Sequence, residues 1–180
     1  MTEAELRQRL NQLGPPWVHD QAARYAPLGI SLSGNLLDDY RSFFDLDAQR
    51  VRWVQDAIHN PPFYADLLVG GADPRDLMPF HEMEAITFDI AVIVRPEIQL
   101  TRGLLFHELV HVVQYRLLGI DEFARLYIDG WLEGSRFRDD PIQRYLNVPM
   151  EQIAYVLQQR YETSPISTFS VEEEVRRFLG

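Results

Sequence analysis

The sequence predicts an α+β fold that is mainly helical, with a small sheet packed against one buried helix. Residues 85–94 alternate in the manner of a strand, residues 102–118 are apolar on nearly every side, and the other periodic segments repeat at helical spacing. A chain of 180 residues with 46% apolar composition can bury one sizeable core. We therefore expect a single domain over residues 1–180.

The first predicted helix begins after Thr2, which stands three residues before Glu5 in capping-box spacing. Gly14-Pro15-Pro16 predicts its end, because glycine and proline both disfavour a helix interior. Residues 17–44 favour helical pieces with breaks at 27–29 and 31–34.

Two segments favour strands. Residues 50–55 are rich in β-branched and aromatic side chains, which favours a strand over the start of a helix. Residues 85–94 form the clearest strand, ended by Pro96, which cannot donate to a ladder. Alternatively, Asp89 lies in a turn that splits this strand into a hairpin.

The buried helix is predicted over residues 102–118, with Thr101 as its N-cap and Gly119 just after its end. Further helices are predicted over residues 121–131, from about Pro149, and after Ser170. Residues 133–144 are predicted to be irregular.

Composition excludes several classes of protein. There is no Cys, and all 17 basic residues are Arg, so Cys nucleophiles, thiolate zinc sites, Schiff-base lysines and phosphate-loop lysines are excluded. A net charge of -10 argues against nucleic acid and anionic membranes as partners. The acidic N-terminus, without a following apolar stretch, leads us to expect a cytoplasmic protein, and the sequence predicts no oligomeric state.

The predicted buried helix contains the motif His-Glu-x-x-His, formed by His107, Glu108 and His111. Residues four apart lie on one helical face, so both imidazoles can bind one ion while Glu108 projects beside them. This arrangement is typical of metal-assisted hydrolysis, in which a metal polarises a carbonyl and a carboxylate takes a proton from water. The motif therefore predicts a divalent metal site with Glu108 as the catalytic base.

A catalytic zinc site normally has a third protein ligand. The metzincin pattern is excluded because Gln114 and Leu117 occupy the positions of its glycine and third histidine. Glu151 is the best candidate, because it opens a later helix in which the small Ala154 permits close approach to the motif helix. Glu133 is the reserve candidate.

Tyr155 follows Glu151 by four positions and shares its helical face. Its phenol could donate to the oxyanion of a tetrahedral intermediate, which makes it a candidate catalytic residue. A packed core tyrosine is the alternative interpretation.

Two other interpretations of the motif stay open. Without a metal, His107 and His111 would be core residues satisfied by buried carboxylates. With a metal, the chain could be an inactive, zinc-stabilised binding module or protease homologue that uses its groove for recognition. A zinc ion closed by four protein ligands would favour that second interpretation.

At these residues the chain resembles the zincin metallopeptidases and, within them, the gluzincin branch. It resembles more closely a largely uncharacterised group of bacterial metallopeptidase-like domains that pair a His-Glu-Leu-x-His-x-x-Gln helix with a Glu-x-x-Ala segment. The matching runs are His-Glu-Leu-Val-His-Val-Val-Gln-Tyr over residues 107–115 and Pro-Met-Glu-Gln-Ile-Ala-Tyr over residues 149–155.

The resemblance implies a zincin-like fold, Zn²⁺ on His107, His111 and Glu151, and Glu108 as general base. It further implies a peptide or protein substrate aligned on the edge of the strand at 85–94. The chain departs from the thermolysin-like pattern in having no acidic residue just after Glu151. The group that orients the imidazoles is therefore unassigned, with a backbone carbonyl as one candidate.

Overall fold

The computed structural model describes residues 1–32, 39–45, 50–137 and 139–180. The fold is α+β and mostly helical, with one four-stranded mixed sheet. The strands are β1 (Ile30–Ser31), β2 (Arg52–Gln55), β3 (Ala85–Phe88) and β4 (Ala91–Val94). The α-helices bounded within these residues are α1 (Glu3–Tyr25), α2 (Tyr64–Val69), α3 (Arg102–Leu118), α4 (Ile120–Glu133), α5 (Pro141–Leu146), α6 (Pro149–Thr163) and α7 (Val171–Leu179).

The sheet has the strand order β1-β2-β4-β3, so β3 lies at one edge. β3 and β4 form an antiparallel hairpin, while β2 pairs with β4 in parallel. The turn between β3 and β4 contains Asp89 at φ 57°, a left-handed conformation that Asp tolerates better than most residues. The hairpin alternative is therefore confirmed, and one continuous strand over residues 85–94 is wrong.

Helix α3 runs through the core, as its apolar composition predicts. Every residue of α3 from Leu105 to Tyr115 is buried. The helix contacts β3 on the sheet and also α4, α6 and α7. Thr101 caps it by accepting a hydrogen bond from the backbone N–H of Leu104, and Gly119 follows its last turn.

Helix α1 corrects the prediction that Gly14-Pro15-Pro16 ends the first helix, because it continues to Tyr25. The two prolines each remove a backbone donor from the helix interior, at a cost of about 3 kcal/mol or more. A buried stripe at four-residue spacing offsets this cost by packing both halves of the helix against the core. The stripe consists of Leu6, Leu10, Gly14, Val18 and Ala22.

Gly14 serves close packing in this stripe instead of ending the helix. A Cβ at this position would lie 2.8 Å from Cδ1 of Ile128 on α4, so a larger residue would require the end of that side chain to shift. The sequence predicts a helix end at Gly14, but the structure places this glycine in the contact between α1 and α4.

The remaining predictions agree with the structure in most places. Strand β2 and helices α4, α6 and α7 lie where the patterns predict them. Residues 133–144 are more regular than predicted, because Asp140 caps the short helix α5 and Pro141 occupies its first turn. The predicted break at 31–34 lies partly outside the described residues. Among the helices described, none is long and apolar enough to cross a membrane.

Candidate metal centre

The structure brings His107, His111 and Glu151 into one buried group that could hold a metal ion. Their exposed fractions are 3%, 5% and 2%. The Nε2 atoms of the two histidines lie 3.1 Å apart. Glu151 Oε2 lies 3.1 Å from His107 Nε2, and Glu151 Oε1 lies 3.3 Å from His111 Nε2. Two imidazole nitrogens and one carboxylate therefore converge on a single point.

Local structure explains this convergence. His107 and His111 are four residues apart on α3, so their side chains lie on one face, one turn apart. Glu151 lies in the first turn of α6, which packs against α3. Ala154, one turn later, is fully buried and keeps the two helices close. Glu133, the reserve ligand candidate, is exposed at the end of α4 and is not part of the group.

Two glutamines orient the imidazoles, and the sequence did not identify either of them. The Nδ1 of His111 lies 2.8 Å from Gln114 Oε1, and the Nδ1 of His107 lies 3.1 Å from Gln158 Oε1. The NH₂ group of Gln114 donates to Met150 O, and the NH₂ group of Gln158 donates to Glu162 Oε1. These two hydrogen bonds define which end of each amide faces its imidazole. Both amide oxygens therefore accept, and both Nδ1 atoms must donate.

This tautomer determines which atoms face the space between His107, His111 and Glu151. A neutral imidazole with its proton on Nδ1 presents a lone pair at Nε2. Two such lone pairs and the Glu151 carboxylate then face one point, where either a metal ion or protons on the Nε2 atoms can satisfy them. Tetrahedral zinc with bonds of 2.0–2.1 Å places its ligand atoms about 3.3 Å apart. The observed separations of 3.1–3.3 Å fit such an ion.

The electrostatics of the group agree with this conclusion. Burial by itself raises the pKa of Glu151, but the charge of His111 and hydrogen bonds from both histidines outweigh burial and hold the pKa well below its usual range. Burial lowers the pKa of His111, but attraction to Glu151 outweighs that effect and raises the pKa to about 9. The carboxylate is ionised and draws a cation, either protons or a metal ion, into the centre.

Two half-buried tyrosines lie next to Glu151. The Tyr127 hydroxyl donates a hydrogen bond of 2.6 Å to Glu151 Oε1. Tyr145 lies beside the same carboxylate, and burial together with the charge of Glu151 raises the pKa of both phenols well above the usual value. Both groups therefore stay protonated and donate. No local pattern in α4 or α5 marks these residues.

Glu108 lies outside the three-residue group, next to His107 in sequence and also buried. Its Oε2 accepts a hydrogen bond of 2.6 Å from the Thr87 hydroxyl on β3. Thr87 is the only polar residue in this apolar edge strand, which is the sequence signal that could have identified it. The contact fixes the carboxylate between the sheet and the metal group.

Tyr155 lies on the outer side of His107, with the two ring centroids 4.6 Å apart. Its side chain is 40% exposed, so it is not a packed core residue. Burial is the main cause that raises the pKa of its phenol, to about 12, so the hydroxyl is a donor at neutral pH. Its catalytic role stays a prediction.

Glu108 lines two cavities of different character. One is an open cleft of about 480 Å³, lined also by His107, Tyr155 and the exposed Glu84. The other is a smaller cavity of about 90 Å³ with mainly apolar and aromatic walls, and it reaches His111 and Glu151. The candidate site therefore lies between a larger, more polar cleft and a smaller, mainly apolar cavity.

Comparison with known proteins adds no family assignment. A scan against protein-family models, a search of curated proteins and a search of solved structures each found no match.

Proposed function

We propose that this chain is a zinc-dependent metallopeptidase of the zincin type. The observation that carries the proposal is the donor set: two imidazoles fixed as Nε2 ligands and one ionised carboxylate, with Glu108 beside them. His107, His111 and Glu151 would hold the zinc ion. Three protein ligands without thiolate are typical of catalytic zinc sites, whereas structural sites are closed by four.

Glu108 would act as the general base and acid of the reaction. When bound, zinc polarises the carbonyl to be attacked and lowers the pKa of the attacking water. Glu108 takes the proton from that water and later gives it to the leaving amine. Because Thr87 binds Oε2, we assign the proton transfer to Oε1 of Glu108.

Strand β3 would align the substrate. It lies at the edge of the sheet and carries Thr87, which contacts Glu108. An extended peptide can add to such an edge through backbone hydrogen bonds, which would place its backbone in the open cleft. Tyr155, at the wall of that cleft, would donate to the oxyanion that forms when the carbonyl is attacked.

The second candidate is an inactive, zinc-stabilised binding module. The low exposure of Glu108 and of the three potential ligands favours it, because catalysis requires access for substrate. The open cleft beside His107 and Glu108 favours the peptidase. Both candidates bind zinc, so hydrolysis distinguishes them.

The experiment compares wild-type protein, Glu108→Gln and Glu133→Gln, each with its zinc content and its activity on a random peptide mixture. We expect Glu108→Gln to keep one zinc per chain and to lose about 10²- to 10⁴-fold in kcat, because it removes the proton-transfer group. Glu133→Gln is the matched control, since Glu133 is exposed and outside the group, and we expect it to behave as wild type. Equal activity of Glu108→Gln and wild type would contradict the mechanism. Zinc binding by a wild-type protein that hydrolyses nothing would favour the binding module.

A further inference from the structure

We propose that Gly103 and Glu162 are positioning residues that keep His107 in its metal-binding tautomer, and that both act through the amide of Gln158. This role rests on the metal site of the proposed function and is independent of hydrolysis. The contacts that carry it run outward from His107 to α6 and end on the backbone of α3.

The first two contacts are hydrogen bonds of the Gln158 amide. Its Oε1 lies 3.1 Å from His107 Nδ1, and its Nε2 donates a hydrogen bond of 3.1 Å to Glu162 Oε1. Gln158 and Glu162 are four residues apart on α6, so their side chains lie on one face of a helix that packs against α3. One amide therefore links the Glu162 carboxylate to the imidazole of His107.

The third contact depends on the missing side chain of Gly103. This glycine is the second residue of α3 and is buried. A Cβ at this position would overlap Glu162 Oε1, and it would lie 2.8 Å from Glu162 Cδ and 3.2 Å from Gln158 Nε2. The carboxylate therefore occupies the space that a side chain at residue 103 would fill. Its place at the first turn of α3 is favourable for an anion because of the helix dipole.

The carboxylate determines which end of the Gln158 amide faces His107. An ionised carboxylate only accepts hydrogen bonds, so it attracts the NH₂ group of an amide and repels its oxygen. With the NH₂ group turned to Glu162, Oε1 faces His107 Nδ1 and requires a proton there. An amide turned by half a rotation would donate to Nδ1 and place the imidazole proton on Nε2, where it excludes a metal ion.

His111 needs no such carboxylate, because the amide of Gln114 has a different anchor. Gln114 Nε2 donates to the backbone carbonyl of Met150, and both residues are buried. That carbonyl is fixed by α6, whereas Gln158 is half-buried and can exchange hydrogen bonds with solvent. A charged acceptor beside Gln158 therefore has the role that a backbone acceptor has beside Gln114.

The test is a set of zinc affinities measured by competition with a chelator. Glu162→Ala removes the acceptor, Glu162→Gln keeps an acceptor without the charge, and Gly103→Ala displaces the carboxylate with one methyl group. Glu133→Ala is the matched control, because Glu133 is also exposed and lies outside the metal group. Each change is repeated in Gln158→Ala, and the thermal unfolding midpoint of every zinc-free variant is measured.

We expect Glu162→Ala and Gly103→Ala to lose about two- to fivefold in zinc affinity, less than the 10- to 100-fold range typical of groups that contact a metal ligand directly. Glu162→Gln should recover most of this affinity, because its amide oxygen can accept the same hydrogen bond. Neither loss should add to that of Gln158→Ala, since both act through the Gln158 amide. The unfolding midpoint of Gly103→Ala should not fall, because alanine favours a helix more than glycine does.

Wild-type zinc affinity in Glu162→Ala would overturn this role and leave the metal centre standing. The same loss on Glu162→Ala with and without Gln158 would also overturn it, because attraction between a distant carboxylate and zinc does not require the amide. A wild-type protein that binds no zinc would overturn the metal centre and this role together. No affinity requires turnover, so a protein without peptidase activity still decides the outcome.

Discussion

His107 and His111 lie one turn apart on α3 and are oriented in the same way, yet they face different surroundings. His107 lines the open cleft, whereas His111 lines the smaller, mainly apolar cavity. Gln158, which orients His107, is half-buried, and Gln114, which orients His111, is fully buried. The difference teaches that the two histidines of one motif can have unequal surroundings, a larger and more polar cleft at His107 and a mainly apolar one at His111.

Among the residues that orient the site, the largest expected effect comes from the two glutamines. Gln114→Ala removes the partner of His111 Nδ1 together with the amide hydrogen bond to Met150 O. We expect zinc affinity to fall about 10- to 100-fold, the range typical of groups that orient metal ligands. In Gln158→Ala, water can replace the lost amide, so we expect a loss below about tenfold. Competition with a chelator measures both affinities, and equal losses would contradict the distinction between the two sides.

A smaller effect is expected at Thr87, which lines the apolar cavity and contacts Glu108. Thr87→Val removes the hydroxyl that fixes Glu108 Oε2 while preserving the shape of the buried side chain. We expect kcat to fall about tenfold with KM nearly unchanged, since proton transfer depends on a positioned carboxylate. Thr87→Ser keeps the hydroxyl and should restore kcat. A purely structural role of Thr87 would instead lower the thermal stability of Thr87→Val and leave the kcat of its folded fraction unchanged.

The sequence predicts the part of the site that depends on spacing along one helix. The four-residue separation of His107 and His111 defines their common face before any tertiary structure is known. Caps and glycine mark the ends of α3, so the motif can be placed in a buried helix. Glu151 can be predicted because it lies at the start of a later helix, and the residues in between leave room for the chain to return to α3.

Residues that reach the site from other helices cannot be predicted from spacing along one helix. Gln158 lies seven residues after Glu151 on the same face of α6, a spacing that fits its position but does not indicate its partner. Tyr127 reaches Glu151 from α4, and nothing local connects the two. Pro15 and Pro16 predict a helix end on local grounds, and burial of the stripe around Gly14 overrides that preference.

The central claim is that His107, His111 and Glu151 together hold zinc. Zinc K-edge X-ray absorption of the purified protein, combined with elemental analysis, tests it most directly. We predict one zinc per chain with two imidazole nitrogens and carboxylate oxygen at about 2.0–2.1 Å, and loss of the metal in Glu151→Ala and His111→Ala. A protein without zinc, or a ligand set that is unchanged in both variants, would contradict the claim.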